Sequence, residues 1–543
     1  MSNGIRLSAK QGLLLLFSAT SVALFFGVSL WQGNLNQDEG WYLYASRMVF
    51  EGKMLYRDFH FSQGPLLPLV YGALYPVWSD AGVLGGRILT SFLALITIGI
   101  AAITAFRLSR DAKTGHLAGI TTLWLAGFCV FGVNYLCIVK TYALTALFFS
   151  AGALAMTYVS GPRGSLAAMA SGIFFACAAG TRLSMGLALP IIGLCLLAGR
   201  RQLKAPFAWF WFGIGAMLTL LAIFVPYLAT SREQFLFAMT LHGKRVIGDW
   251  QSQLLFKAGF VARCAQSFLG PILVTIAAIC LTRRRGKPLS ITISPSLLLW
   301  LSIIGLSSLH FLTPFPYDDY QTPLLPVFAA LASAALWNNI SGRLQATAPA
   351  NEQTSSRVMF GVVAGILVIA ASSPILEKWA IIRQDRLWFI TKQKSDLAVL
   401  RDVGAWIRAR TGENDELLTW DPYLAVEANR RLPSGFEMAP FNFHPELSSE
   451  KAKSLCVLNE LLLLDALTNS RAPLAAISGY AMAIRAPKMD LINPSDPFAG
   501  QVRQAIETQF NPTLQVENFG QGHTTLNLWT HKQSTASSPP SDH

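Results

Sequence analysis

The sequence predicts an α-helical polytopic membrane protein with a small α/β domain at its C-terminal end. Of the 543 residues, 52% are hydrophobic and only 13% are charged, whereas soluble domains average roughly 25% charged residues. Long apolar segments recur between residues 13 and 375. From Glu377 onward, the composition becomes that of a soluble domain.

About eleven apolar segments approach the roughly 20 residues that a helix needs to cross a bilayer. They are Leu13–Leu30, Val83–Phe106, Leu117–Val133, Tyr142–Val159, Leu166–Ala179, Leu183–Leu197, Phe207–Tyr227, Gly259–Leu281, Leu297–Phe311, Pro323–Trp337 and Val358–Ile375. The fifth, sixth, ninth and tenth are short. No small-residue cleavage site follows the first segment, so we interpret it as an uncleaved span rather than a signal peptide.

The net charge of +13 is explained by membrane topology, and we find no nucleic-acid motif. Basic residues collect in alternate loops between the apolar segments: Arg6, Lys10, Arg107, Arg110, Lys113, Arg163, Arg200, Arg201, Lys204, Arg283, Arg284, Arg285, Lys287, Arg343 and Arg357. By the positive-inside tendency these loops face the cytoplasm. We therefore expect a multi-pass protein of the inner (plasma) membrane with a cytoplasmic N-terminus. Its first loop, residues 32–82, and everything after Ile375 then lie on the periplasmic or extracellular side.

Two further segments on that outer side are too long to be simple turns. Ala229–Ala258 is mixed and amphipathic, which indicates a helix and loop lying on the membrane surface. Thr313–Gln321 contains prolines that rule out a continuous helix. It brings Asp318 and Asp319 to the outer face.

The C-terminal part, residues 377–533, predicts an extracytoplasmic α/β domain of ordinary size. Helical periodicity covers Asp396–Arg410 and Glu450–Leu467, and Glu416–Trp420 reads as a strand. Leu514–Glu517 and Thr525–Trp529 are predicted to pair as strands around a glycine-containing turn. The Ser/Pro-rich tail, residues 534–543, has the composition of a disordered segment.

Asp38 and Glu39 stand where the chain leaves the first predicted span. They could be solvated acids that cap a short helix. Their position favours a site, because ionisable groups at a membrane boundary, among Trp and Tyr residues, commonly mark one. A partly desolvated carboxylate can act as general base toward a hydroxyl group.

The first loop, QDEGWYLYASRMVFEGKMLYRDFHFSQGPLLPLVYG, resembles that of the GT-C glycosyltransferases. The similarity is greatest to the protein-O-mannosyltransferase and aminoarabinose-transferase-like group (glycosyltransferase family 39-like). Thr181–Leu183, Tyr320–Pro326 and the stretch DELLTWDPYLAVEANRRLPSGFEM also look like family features. One departure is Ser62-Gln63-Gly64 before Pro65, where the family often has a proline pair. This departure bears on the choice of acceptor rather than on the fold.

The resemblance implies a GT-C-like transmembrane catalytic domain over residues 1–376. Such an enzyme inverts the anomeric carbon as it moves a sugar from a polyprenyl-phosphate donor to a glycan, lipid or protein acceptor at the outer membrane face. The resemblance implies Asp38 as general base, with Glu39 assisting, because two adjacent carboxylates disfavour double ionisation. Fixed positive charge must meet the leaving phosphate, and the candidates for this role are Arg57, Arg87, Arg182, Lys244 and Arg245.

Asp58, His60, His242, Asp318 and Asp319 are the candidates for contact with the acceptor. Several of these expectations have simpler alternatives. Lys244 and Arg245 could contact lipid headgroups. Arg87, Lys140 and Arg182 lie near predicted outer ends of spans, against the positive-inside trend. Lipid-phosphate binding explains these exceptions, although snorkelling alone could explain them too. Asp318 and Asp319 could form a turn, or they could bind a divalent cation. We identify no required cofactor and no metal site.

A transporter or lipid flippase is the main alternative function. It should carry ionisable or helix-breaking residues at mid-membrane in related halves of the chain. The charges of this sequence gather instead at the outer boundary, and no internal repeat is visible. A non-catalytic receptor would leave the carboxylates of the first loop without a role.

Overall fold

The structure, a computed structural model, describes residues 9–202, 205–240, 249–283, 294–346, 365, 394–479, 484–485, 490–491 and 497–532. The eleventh predicted span, Val358–Ile375, lies outside the described residues except for Gly365. The tail predicted to be disordered also lies outside them.

Sixteen α-helices lie in the described part of the chain before residue 347. They are α1 (Ala9–Gln32), α2 (Gln37–Phe50), α3 (Leu66–Ala73), α4 (Tyr75–Trp78), α5 (Gly82–Arg107), α6 (Ala112–Gly127), α7 (Val130–Cys137), α8 (Thr141–Met156), α9 (Gly164–Thr181), α10 (Ala188–Ala198), α11 (Ala208–Thr230), α12 (Arg232–Thr240), α13 (Trp250–Ser267), α14 (Leu269–Arg283), α15 (Pro295–Leu312) and α16 (Leu325–Ala346). A 3₁₀ helix, Asp318–Leu324, leads into α16.

These helices confirm a multi-pass membrane protein. In the described part of the chain, six helices are long and apolar enough to cross a bilayer, or up to eight if each of two bent pairs is one span. Each of the first ten predicted spans coincides with one of these helices, with a bent pair or with a shorter apolar helix. The pattern of apolar residues therefore located the helices well.

Two of the predicted spans are broken rather than continuous. Helices α6 and α7 meet at 72°, and α13 and α14 meet at 80°. Sharp kinks arise where the ladder of helical hydrogen bonds is interrupted. Pro271, which lacks a backbone N–H, stands in the first turn of α14, where that loss is tolerated. Helix α7 has only eight residues and ends at Cys137. Lys140 follows shortly after it, as the N-cap of α8.

The C-terminal domain, residues 394–532, is an α/β unit, as the sequence predicts. It contains α17 (Asp396–Arg408), β1 (Leu417–Thr419), α18 (Pro422–Ala428), α19 (Ser449–Ser454), α20 (Glu460–Thr468), β2 (Leu474–Ser478), β3 (Ile484–Arg485), β4 (Asp490–Leu491), α21 (Pro497–Gln509), β5 (Phe510–Phe519) and β6 (Thr524–His531). The helix predicted over Glu450–Leu467 is two helices, α19 and α20, and Cys456 between them has a positive φ of 56°.

The sheet of this domain has the strand order β1-β2-β6-β5. β1 and β2 are parallel, and Leu417 lies opposite Leu474. β6 runs antiparallel to both of its neighbours, with Ala475 opposite Trp529 on one side and Gln515 opposite Asn527 on the other. The pairing of β5 with β6 is the hairpin that the sequence predicts around Gly520–Gly522.

The C-terminal domain is docked firmly onto helix α2. One continuous buried cluster contains Leu43 and Tyr44 of α2 together with Leu424 and Phe436 of the domain. Hydrogen bonds accompany this packing, because the Tyr44 hydroxyl accepts from the backbone N–H of Leu432 at 2.8 Å. Burial of this apolar surface stabilises the association of the C-terminal domain with α2. The domain therefore holds a fixed position over the first loop.

Gly40 permits the closest approach between α2 and the domain. A Cβ at this position would overlap the backbone nitrogen of Tyr423 and come within 2.8 Å of the carbonyl carbon of Pro422. Both atoms belong to backbone at the start of α18, which cannot move aside as a flexible side chain could. Only glycine fits there without displacing the domain.

We expect Gly40→Ala to destabilise the docked domain by about 1–3 kcal/mol, the usual cost of overpacking. The measurement is thermal unfolding of the purified protein together with its rate of limited proteolysis. The matched control is Gly27→Ala in α1, where a Cβ would meet nothing within 4 Å. Equal melting temperatures for the two variants would contradict this account of the α2 contact.

Candidate active site

The first turn of α2 sends its two acidic side chains in different directions. The side chain of Asn36 accepts from the N–H of Asp38 at 3.1 Å, and Glu39 Oε1 accepts from the N–H of Asn36 at 3.0 Å. This reciprocal capping starts the helix at Gln37. Because successive residues of a helix point about 100° apart, Asp38 and Glu39 cannot face the same space.

Glu39 faces inward and forms a buried ion pair with Arg87 of α5. Both side chains are fully buried, and the two closest contacts between them are 2.6 Å and 2.7 Å. Arg87 also donates to the backbone oxygens of Leu30, Gly33 and Asn34 at the C-terminal end of α1. Removal of one partner from such a pair costs about 3–5 kcal/mol. Glu39 and Arg87 therefore join α1, α2 and α5 behind the site.

Asp38 faces a cavity, where it meets Lys140. The Lys140 ammonium lies 3.0 Å from Asp38 Oδ2 and 3.2 Å from Asp319 Oδ2. The Tyr142 hydroxyl donates to the same Asp319 oxygen at 2.8 Å. One buried cation is thus shared by two carboxylates that are 281 residues apart in the chain.

Arg182 lies beside Lys140. Its guanidinium carbon is 5.0 Å from the ring centre of Tyr142 and 4.4 Å from that of Tyr320. The Lys140 ammonium is 5.2 Å from the ring centre of the same Tyr142. In the described part of the chain, Arg182 Nε has no hydrogen-bond partner. Its hydrogen bond from Nη1 to Thr141 Oγ1 is long, at 3.4 Å.

A third ion pair closes this end of the site. Arg263 of α13 lies 3.6 Å from Asp318 Oδ1. Asp318 and Asp319 stand together at the start of the 3₁₀ helix that leads into α16. Three carboxylates and three cations therefore gather within one region, at the ends of α2, α8, α9 and α13.

Five of these six groups, all except Arg263, line a cavity with a volume of about 490 Å³. Its lining includes two chemically different groups of side chains, which we call the charged end and the neutral end. The charged end contains Lys140, Arg182, Tyr142, Asp318, Asp319 and Tyr320. The neutral end contains Gln37, Trp41, Ser62, Met438, Phe441 and Gln521. Asp38 contacts Lys140 of the charged end and is adjacent in sequence to Gln37 of the neutral end.

The C-terminal domain forms the wall of the neutral end. Gln521, in the turn between β5 and β6, accepts from the N–H of Gln37 at 2.9 Å. The Phe441 ring packs edge-on against Trp41, with 4.8 Å between the ring centres. Trp41 Nε1 and Gln37 Nε2 are buried donors that lack a hydrogen-bond partner among the described residues. These donors are suited to bind a polar ligand.

Glu437 forms hydrogen bonds on both sides of the segment of the domain that lines the cavity. Its Oε2 accepts from the N–H of Gly435 at 2.9 Å and from Asn442 Nδ2 at 3.4 Å. Burial raises the pKa of Glu437 to about 7. These bonds join the two flanks of the segment from Met438 to Phe441, and Phe441 packs against Trp41 of α2.

Arg57 and Asp58 of the first loop lie away from the cavity, although we predicted contacts with the donor and the acceptor. Arg57 is half exposed and pairs with its neighbour Asp58 at 2.8 Å. Hydrogen bonds from Arg57 lower the pKa of Asp58. Asp58 also accepts from the N–H of Met54 at 2.7 Å. The two side chains stabilise the loop at the position where the structure places them.

His60 is buried between the first loop and the C-terminal domain, and it does not line the cavity. Its ring lies 5.7 Å from that of Phe237 and 6.4 Å from that of His444. Burial, with a smaller effect of His444, lowers the pKa of His60 to about 3. The ring is therefore neutral at physiological pH and acts as a packing group. His242, Lys244 and Arg245 lie outside the described residues.

Of the predicted site residues, the structure brings Asp38, Arg182, Asp318 and Asp319 together in the cavity. Lys140, which is not among the predicted site residues, also lines the cavity. Arg263, which is likewise not among them, pairs with Asp318. Lys140 carried a usable signal, because a cation at the outer end of a span runs against the positive-inside trend. Arg263 had no such signal, since it lies within a stretch that the sequence predicts as an uninterrupted span.

The donor set does not suit a divalent cation. In the described part of the chain, no three His, Cys, Asp or Glu side chains converge as metal ligands do. Asp318 and Asp319 pair instead with Arg263 and Lys140. Hard cations prefer several oxygen ligands that point to one centre.

Two solved structures resemble the whole chain. The crystal structure of ArnT from Cupriavidus metallidurans in the apo state has a TM-score of 0.61 and 16% sequence identity, and it covers 98% of this chain and 100% of ArnT. ArnT from the same organism bound to undecaprenyl phosphate has a TM-score of 0.57 and 15% identity, and it covers 95% of this chain and 97% of ArnT. No protein-family model and no curated protein sequence matches the chain.

The similarity extends over both the membrane helices and the C-terminal domain, because nearly all of each chain is covered. At this level of sequence identity it establishes the fold. The chain therefore has the fold of ArnT over nearly its whole length.

Proposed function

We propose that the protein is an inverting glycosyltransferase that moves a sugar from a polyprenyl-phosphate donor to an acceptor hydroxyl group. The observation that carries this proposal is the position of Asp38. It lines one cavity with both the charged end, where Lys140 lies at 3.0 Å, and the neutral end beneath the C-terminal domain. We propose that Asp38 is the base, that the charged end takes the leaving phosphate and that the neutral end takes the acceptor.

The charged end suits the phosphate of the donor. The guanidinium group of Arg182 is planar, and its N–H donors match the oxygens of a phosphate. Its Nε has no hydrogen-bond partner among the described residues. Lys140 contacts the same Tyr142 ring as Arg182 does. Fixed cations at the point where negative charge develops are the main means of stabilising such a transition state. The structure of ArnT bound to undecaprenyl phosphate supports a lipid donor of this class.

The neutral end suits the acceptor. Gln37, Trp41 and Gln521 offer amide and indole groups that can bind hydroxyl oxygens. None of the described residues at this end carries a charge. We therefore propose that Met438, Phe441 and Gln521 of the C-terminal domain help to select the acceptor. This role extends the predicted division into a catalytic part, residues 1–376, and a second domain, residues 377–533.

The reaction is a single displacement. Asp38 takes the proton of the acceptor hydroxyl as its oxygen forms a bond to the anomeric carbon. The bond from that carbon to the phosphate oxygen breaks, and the polyprenyl phosphate leaves with the electron pair. Lys140 and Arg182 stabilise the charge that develops on it. Attack opposite the leaving group inverts the anomeric carbon.

Asp38→Asn should lower the release of undecaprenyl phosphate from undecaprenyl-phosphate sugars by about 100-fold to 10,000-fold, because it removes the general base. The measurement uses the reconstituted protein with a set of hexose and pentose donors and mixed acceptors. Asp402→Asn is the matched control, since Asp402 is an exposed carboxylate paired with Lys394. Transfer at the wild-type rate by the Asp38 variant would remove Asp38 from the reaction.

We further propose that the site faces the periplasm or the cell exterior and that the membrane is the inner (plasma) membrane. The support is the alternation of basic loops, which places Arg107 and Arg200 on the cytoplasmic side. A cysteine at Lys53 in the first loop should react with a membrane-impermeant maleimide in intact cells, and a cysteine at Arg110 should react only after lysis. The reverse pattern would overturn this orientation.

A further inference from the structure

Lys140 is committed to two carboxylates in the described conformation. An ammonium group has three N–H donors, and two of the acceptors are Asp38 Oδ2 at 3.0 Å and Asp319 Oδ2 at 3.2 Å. The base of the proposed reaction is therefore already neutralised by a salt bridge. The positive charge of the ammonium group beside this carboxylate opposes the arrival of a second positive charge, the proton of an alcohol.

We propose that Lys140 is an exchange cation, which holds Asp38 in an ion pair until the donor phosphate arrives and then transfers to that phosphate. The inference rests on the proposed function and adds an order of events to it. The donor binds first, and its phosphate releases the base. The acceptor hydroxyl then meets a free carboxylate.

The geometry favours an exchange at Asp38 rather than at Asp319. Asp319 is held by a second bond, from the Tyr142 hydroxyl at 2.8 Å, and its side chain is only 11% exposed. The side chain of Asp38 is 22% exposed. Of the two bonds of Lys140, the one to Asp38 is therefore the easier to give up.

Arg182 is the group that brings the phosphate within reach of Lys140. Its Nε has no hydrogen-bond partner among the described residues. Both cations contact the ring of Tyr142, at 5.0 Å and 5.2 Å from its centre. A phosphate anchored on Arg182 thus lies beside the ammonium group, and its charge competes directly with that of Asp38.

Exchange makes a specific thermodynamic prediction, because two groups that compete for one cation are coupled through it. We expect Asp38→Asn to bind undecaprenyl phosphate about tenfold more tightly than the wild type, a typical coupling between two sites. Lys140→Met should bind it about tenfold more weakly. In the Lys140→Met background, Asp38→Asn should produce no further tightening.

The experiment measures binding of undecaprenyl phosphate to the full chain in lipid nanodiscs, with undecaprenol as the uncharged control lipid. Asp402→Asn and Lys394→Met, which alter an exposed ion pair, are the matched control variants. Thermal unfolding checks that each variant is folded. Lys140→Gln, which is neutral but polar, replaces Lys140→Met if that variant does not fold.

Three results would overturn the exchange. Tightening by Asp38→Asn of equal size with and without Lys140 would mean simple repulsion between Asp38 and the phosphate. If Asp38→Asn bound undecaprenyl phosphate with the wild-type affinity, Asp38 and the phosphate would not compete for Lys140. If the wild type preferred undecaprenyl phosphate no more than undecaprenol, the proposed function would fail together with the exchange.

Discussion

The buried ion pair between Glu39 and Arg87 is the interaction on which the site depends. It fixes the first turn of α2 against α5 and ties both helices to the last carbonyl groups of α1. Glu39 also accepts from the N–H of Val139 at 3.3 Å, just before Lys140. The same carboxylate therefore sets the position of Asp38 on one side and of Lys140 on the other.

Helical geometry places the side chains of Asp38 and Glu39 in different surroundings. Since neighbouring residues of a helix diverge by about 100°, burial of Glu39 turns Asp38 toward the cavity. There the carboxylates of Asp38, Asp318 and Asp319 are balanced by Lys140, Arg182 and Arg263. Such balance is necessary at a membrane boundary, where unpaired charge is costly. It also gathers three cations in one region, two of which, Lys140 and Arg182, line the cavity.

The sequence was sufficient for the membrane helices, and it singled out Asp38, which lines the cavity. The length of an apolar segment is visible in the local sequence, so the first ten spans could be predicted from the sequence alone. Asp38 could be identified from its position after the first span. The partner of Glu39 could not, because Arg87 is 48 residues away and no local pattern pairs the two. We had predicted catalytic assistance for Glu39 and phosphate binding for Arg87, and the structure places both behind the cavity wall.

Long-range packing explains the rest of what sequence reasoning missed. Gln521 and Phe441 reach the cavity only because the C-terminal domain docks on α2, through the close approach at Gly40. The break between α13 and α14 is likewise a tertiary feature, and it leaves Arg263 near the end of α13 beside Asp318. Arg57 illustrates the opposite case. Its charge in the first loop suggested phosphate binding, but its nearest partner is the adjacent Asp58.

A structure of the chain with undecaprenyl phosphate would test the central claim most directly. The account predicts that phosphate oxygens lie within hydrogen-bond distance of Arg182 and Lys140, with Asp38 adjacent and no longer bonded to the ammonium group. A phosphate held outside the cavity, for example on Arg57, would contradict it. So would a phosphate bound in the cavity without contact to either Lys140 or Arg182.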